Sequence, residues 1–464
     1  MAKQLERRGF LKLAAAGVAA VPLASAMDGL AMGKIPPVPA AKPTPTLSLS
    51  VRDYGAVGDG VAKDTAAIQQ TIDRVSVFGG GEVVVPAGTY LIGGIALRSR
   101  VLLRLEKDAV LMGSAEFADY PVAQVRWEGR WIQGHLGLIH AIDAVDTGIV
   151  GPGKIMGNHA LGGRPTKEQP LRHPCLVEPI NCQRLRFEDF STDYFRMWSM
   201  HPTNCEDLTF RNLTIRSTGG NGDGIDVDSC RRVKIDRCDI ATGDDCISVK
   251  SGRGAEGFTL LRTSEDIEIT NCTFADSIFA CIGIGSETSG GIRNVRIAHC
   301  TFTSAATHAI YIKSRPGRGA FIEDITVDDV TAAGMKLGFL RFNLLNSGIQ
   351  DEYAVGGPVG IPTAKNFKFS NIKVTECPVL VDGTAIHPSK PLEGFVFEHV
   401  SGVCAKGISL ANVHGAVIRD VTVQVSDGPL LSVSNVTGMG LKDAVKVDPP
   451  KPTPDVPVAE YRLH

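Results

Sequence analysis

From residue 185 onward the chain repeats one short phrase: two apolar residues separated by a single position, then a third apolar residue after two more. It reads Leu185, Phe187 and Phe190, then Leu208, Phe210 and Leu213, then Val233, Ile235 and Cys238, then Ile267, Ile269 and Cys272. The first two positions recur at Val295 and Ile297, Ile325 and Val327, Phe367 and Phe369, Phe395 and Phe397, and Ala416 and Ile418. Alternation with a period of two marks a half-buried strand. The phrases recur at roughly the interval of one solenoid coil, with no amphipathic helices between them. This argues against a doubly wound sheet or a TIM barrel and leaves an all-β stack of parallel coils. Equivalent residues of successive coils then stand about 4.8 Å apart, so Val, Ile, Leu and Phe pile into internal ladders.

Cys182, Cys205, Cys230, Cys238, Cys272 and Cys300 recur at matching places beside these strands, which predicts an internal stack of thiols rather than catalytic cysteines. An open solenoid end exposes its core and needs a cap. Asp64 and Thr65 are expected to cap a helix on which Ile68, Ile72 and Val75 share one face.

The ends differ from the repeat. Arg7 and Arg8 precede Phe10, Leu11 and Lys12, and an Ala-rich apolar run from Leu13 to Ala26 follows, too short to span a bilayer. Ala24, Ser25 and Ala26 supply a small-x-small cleavage site, so residues 1–26 read as a signal peptide of twin-arginine type, or otherwise an ordinary secretory one. The protein is then exported, to the periplasm or beyond. A proline-rich linker over 27–47, a β-helix over 48–445 and a tail over 446–464 complete the expected organisation. With 48 basic and 50 acidic residues and a net charge of -2, nothing drives the whole chain toward nucleic acid or membrane surfaces. The eleven cysteines show no paired Cys-x-x-Cys spacing, which argues against a zinc site. A twin-arginine substrate folds in the reducing cytoplasm, so the thiols are expected to stay free.

Candidate chemistry lies in two phrases one coil apart: Asn221 to Asp226, with Asp223 between glycines, and Thr242 to Lys250, with the pair Asp244 and Asp245. One coil of separation brings Asp223 above or below that pair, and three acids so close repel one another unless one keeps a proton. A neutral carboxylic acid beside carboxylates is what glycoside hydrolysis requires: one group protonates the leaving oxygen while the others activate water. Aspartates in such turns also bind their own backbone amides, and the same acids could hold calcium. Asp226 and Asp228, on the following strand, are expected to point outward or end a ladder.

From Val51 to about Ile418 the chain resembles glycoside hydrolase family 28, the polygalacturonases and their relatives. The resemblance rests on the opening from Val51 to Gly60 and on Gly79 to Tyr90. It rests also on Asn221-Gly222-Asp223, Gly243-Asp244-Asp245, the run Gly285 to Gly291 with Glu287, and Ile312-Lys313 followed by Gly317 to Gly319. It implies a single-stranded right-handed parallel β-helix with an N-terminal capping helix. It implies inverting hydrolysis of a pectin-like polysaccharide without metal or organic cofactor. Asp244 would be the general acid, Asp223 and Asp245 would position and deprotonate water, and Lys313 would grip a uronate carboxylate. Asn221 and Glu287 would join Lys313 in the substrate set.

Two positions depart from the family pattern: Ala280 stands where a histidine is expected and Tyr311 where an arginine is expected. A lost arginine weakens carboxylate recognition more than recognition of a neutral sugar, so homogalacturonan and a rhamnogalacturonan-type substrate both stay open. His308 is a candidate replacement for the missing histidine, against an ordinary core or surface role. Arg253, Arg315 and Arg318 could line a basic groove or be ordinary solvated arginines. Trp127 and Trp131 sit in a loop where an aromatic could stack on sugar, whereas Trp198 is expected to pack between coils. A polysaccharide-binding β-helix without turnover and a lyase on the same fold are the rival functions.

Overall fold

The computed structural model describes residues 47–452 and Val456. The signal peptide, the linker as far as residue 46 and most of the tail beyond residue 452 lie outside the described residues. What is described is a parallel β-helix, one coil stacked in register on the next.

One ladder runs Val83, Leu103, Ile149, Phe187, Phe210, Ile235, Ile269, Ile297, Val327, Phe369 and Phe397, each residue pairing with the next in parallel register. All of these side chains are buried. Each such burial contributes about 1.5–3 kcal/mol. Phe187 and Phe210 stack at 5.1 Å, and Phe274 and Phe302 at 5.2 Å in a neighbouring ladder.

The repeated phrase turns out to span a corner rather than a single strand. Leu185 and Phe187 lie on the strand Gln183–Glu188, and the next strand is Ser191–Asp193. Between them Asp189 adopts φ 71°, and the equivalent corners use Asn212, Arg237, Asn271 and His299 at φ between 52° and 55°. Asp and Asn tolerate this left-handed conformation better than most residues. Asn212 also donates to Asp189 at 2.9 Å, so neighbouring corners are tied together.

The cap is helix α1, Thr65–Val77, which buries Ile68, Thr71, Ile72 and Val75. Asp64 precedes it, but its carboxylate does not cap the helix; it accepts from the backbone N–H groups of Val57 and Gly58 at 2.6 and 3.0 Å. The loop before α1 is thereby closed onto the helix entrance. All eleven cysteines are buried and free. The backbone N–H of Cys182 donates to Cys205 Sγ and that of Cys205 to Cys230 Sγ, both at 3.3 Å, which is the expected thiol stack.

A third row of strands carries the acids. Its inward side is the ladder Ile225, Ile247, Ile282, Ile310 and Leu340. Its outward side is Asp226, Ser248, Gly283, Tyr311 and Arg341, in the same register. Burial of the Ile rungs therefore determines which side chains stand on the outer face.

Candidate active site

The register that pairs Ile225 with Ile247 also brings the turns ahead of them together: the N–H of Gly224 donates to the carbonyl of Asp245 at 3.0 Å. Carboxylate oxygens of Asp223, Asp244 and Asp245 consequently lie within 4.8 Å of one another. Asp223 and Asp245 are 4% and 2% exposed, while Asp244 is half-buried.

Asp245 is the most tightly held. Its Oδ2 accepts from Lys313 Nζ at 2.6 Å and from Ser248 Oγ at 2.9 Å, and its Oδ1 accepts from the backbone N–H of Ala280 at 3.1 Å. Ala280 thus supports the acids through its main chain, although its side chain cannot. Ser248 Oγ also lies 3.4 Å from Asp223 Oδ2, so one hydroxyl sits between two acids. Gly283 completes the arrangement, since a Cβ there would meet Asp245 Oδ2 and Lys313 Nζ.

Asp226 and Asp228 correct the expectation. Both do leave the coil interior, but they are 0% and 1% exposed rather than solvated. Asp226 pairs with Lys250 Nζ at 2.5 Å, and the same ammonium is 3.5 Å from Asp223. Asp228 accepts from Arg126 at 3.1 Å and from Ser229 at 2.8 Å. Sequence reading missed Asp226, Lys250 and Ser248 as parts of the cluster. The signal was present in the strand parity: Asp226, Asp228, Ser248 and Lys250 share one face of paired strands.

Four carboxyl groups, on Asp223, Asp226, Asp244 and Asp245, face two ammonium groups, on Lys250 and Lys313. The imbalance keeps protons in the cluster. Burial, and then the charges of Asp223 and Asp245, push Asp244 up to about 8. Burial also raises Asp223 and, joined by repulsion from Asp223, lifts Asp226 well above the carboxylate range. Burial acts to lower Lys313, but the Asp245 carboxylate outweighs it and holds the ammonium charged. Two ammoniums already lie against these acids, so the chemistry of the set disfavours a calcium ion.

The remaining predicted residues separate into groups. Asn221 is buried and its amide donates to the carbonyl of Gly163 at 3.1 Å, which anchors a loop rather than presenting a free donor. Glu287 is buried; burial acts to raise it, but Lys250, Arg318 and Lys313 hold it below its usual value, so it stays ionised. Tyr311 lies on the outer face of its strand, with Asn343 Nδ2 at 3.4 Å from its hydroxyl. His308 packs against Tyr311 at 5.4 Å, and its electrostatic neighbours are Arg341 and Asp382 rather than the three acids. Arg318 is fully buried and ion-paired with Asp351, and Arg253 pairs with the same carboxylate at 2.7 Å and with Glu128 at 3.3 Å. These two arginines are recessed and ion-paired and are not a solvated basic groove. Trp198 is buried, stacked on Trp127 at 5.0 Å with Lys250 Nζ 4.2 Å from its ring centre.

A parallel β-helix with three acids gathered on one outer face is the class of protein that this geometry defines. A model of glycosyl hydrolases family 28 matches residues 79–387, so the chain belongs to that family and is a glycoside hydrolase. A probable polygalacturonase of Vitis vinifera is 28% identical over 78% of this chain and 74% of its own length. A probable polygalacturonase of Arabidopsis thaliana is 27% identical over 84% and 78%. Among solved structures, an exopolygalacturonase from Thermotoga maritima superposes with a TM-score of 0.69 at 24% identity, covering 81% of this chain and 92% of that one. A family 28 exopolygalacturonase from Yersinia enterocolitica gives 0.66 at 20% identity, covering 87% and 79%. Both share the fold.

Proposed function

We propose that the protein hydrolyses glycosidic bonds in the galacturonate-containing backbone of a pectic polysaccharide. Asp244 is the general acid, and Asp223 and Asp245 are the carboxylates that bind and deprotonate water. The observation that carries this reading is the charge imbalance within 4.8 Å: Asp244, pushed up to about 8, stays protonated at neutral pH while its neighbours lie against Lys250 and Lys313.

Asp244 is the most open of the three acids, as a group that must reach a leaving oxygen has to be. Asp223 and Asp245 are recessed behind it and share the Ser248 hydroxyl, an arrangement suited to holding a water between them. Spacing this short on its own would suit a retaining pair, in which one carboxylate attacks the sugar. The recessed position of both carboxylates favours water as the nucleophile and inversion at the anomeric carbon. Lys313 acts through Asp245 in this account, fixing the position of its carboxylate. The Arg7–Arg8 segment supports export of the enzyme toward its polymeric substrate. Among the described residues no helix is long and apolar enough to cross a membrane.

The test is reducing-end release from polygalacturonate and from rhamnogalacturonan, with the first product anomer read by NMR. The proposal expects faster release from polygalacturonate, no ultraviolet-absorbing unsaturated product and an inverted anomer. An unsaturated product would establish a lyase, a retained anomer would make one aspartate the nucleophile, and no release from either polymer would leave a binding protein.

A further inference from the structure

The cations beside the acids are already committed. Lys250 and Lys313 hold carboxylates at 2.5 and 2.6 Å, and their side chains are only 7% and 10% exposed. Arg341 differs. It stands on the outer face of the strand Gly338–Asn343, directly opposite Tyr311 in register, and Tyr311 in turn stands opposite Gly283. Gly283 lies against Asp245, so Arg341 is two coils further along the same face, about 10 Å at the spacing of paired strands. The glycine places no side chain between the acids and Tyr311.

The guanidinium carbon of Arg341 lies 5.4 Å from the centre of the Tyr311 ring, which gives it an aromatic floor. Its counter-ion is Asp382, next in register, but the separation is 3.7 Å and both side chains are about a third exposed, at 33% and 34%. Arg341 Nε is shielded from solvent and has no hydrogen-bond partner, and the same holds for Nδ1 of the adjacent His308. Burial and the nearby Arg341 lower His308 to about 4, so the ring is neutral and adds no second cation. A planar fork that is oriented yet only loosely paired matches the geometry of a carboxylate. A neutral sugar laid over it would further desolvate the guanidinium without supplying an anion.

We propose that Arg341 grips the carboxylate of the sugar bound beyond Tyr311, so that this subsite takes a uronate and rejects a neutral sugar. The assignment rests on the reading of the site as a galacturonan hydrolase and names its specificity residue. Tyr311 serves as the floor on which the arginine is oriented, and Asp382 holds the fork in place until the substrate carboxylate displaces it.

The experiment uses the Asp244→Asn protein, expected to bind without turnover, and calorimetric titration with a galacturonate trimer and its methyl ester. Arg341→Met should weaken binding of the free acid roughly 10- to 100-fold, the value of a hydrogen bond to a charged group, and should leave the ester within about threefold. Arg341→Lys should fall between. Asp382→Asn should tighten binding of the acid about two- to fivefold, a gain that structural damage would not produce. Unchanged affinity in Arg341→Met, or equal losses for acid and ester, would overturn the assignment. If the unsubstituted chain cleaves polygalacturonate while Arg341→Met binds normally, only this inference fails. If neither the parent nor any variant binds the trimer, the galacturonan reading fails with it.

Discussion

Asp244 carries the largest chemical burden of any single residue. A general acid must hold its proton until the leaving oxygen takes it, and a value near 8 means that kcat/KM should fall as pH rises through that region. An alkaline limb near pH 5 instead would contradict the assignment. The same shift acts on stability. The folded chain keeps a proton on Asp244 that the unfolded chain releases above its ordinary value of 3.8, so stability declines between about pH 4 and pH 8. Asp244→Asn removes that linkage and should raise Tm by roughly 1–3 °C at pH 7, with no gain at pH 3, as thermal melts at the two pH values would reveal. Gly283→Ala tests the packing around Asp245: a methyl group meeting Asp245 Oδ2 and Lys313 Nζ should lower kcat by about 100-fold while Tm changes little. At this scale the three catalytic candidates were legible because two Gly- and Asp-rich phrases stand one coil apart. Asp226, Lys250 and Ser248 were not, because their role depends on which face of a paired strand is covered, and Arg126 and Trp198 do the covering from distant parts of the chain.

The element that governs the site is the ladder. Alternation along each strand sends the Ile rungs inward and the charged rungs outward, so a one-residue slip would remove every acid from the face it occupies. Phe210 lies between Phe187 and Ile235 in such a ladder and is fully buried. Phe210→Ala should cost about 3–5 kcal/mol, visible as a lower denaturant midpoint, and an unchanged midpoint would show that the coils do not stabilise one another at this rung. The strands themselves were readable from their period of two. The corners were not: Asp189, Asn212 and Asn271 appeared as polar positions inside a strand, whereas their left-handed φ values mark where the chain bends from one sheet to the next. Asp64 is a comparable case, since an acid before a helix matches the usual cap, but here its oxygens meet the amides of Val57 and Gly58.

Among the described residues, the fold distributes one main core along the solenoid, with a small second cluster at Val125, Leu136 and Ile180, and holds it without a disulfide. All eleven cysteines are buried as free thiols beside the ladders. A thiol reagent should therefore label none of them in the native protein and all of them after denaturation, and reductant should leave Tm unchanged. A reductant-dependent Tm would reveal a disulfide and contradict the thiol stack. The solenoid also explains how acids from successive coils meet: residues more than twenty positions apart in sequence become neighbours one strand spacing apart, and the walls are supplied by segments such as the strand Val122–Trp127, through Arg126.

The central claim is that a protonated Asp244 beside Asp223 and Asp245 breaks glycosidic bonds in a galacturonan. The most direct measurement is reducing-end release from polygalacturonate by the unsubstituted protein and by Asp244→Asn, with circular dichroism to show that both are folded. The account predicts release by the former and a loss of at least about 1,000-fold in kcat in the latter. Release that persists within tenfold in a folded Asp244→Asn protein would contradict it.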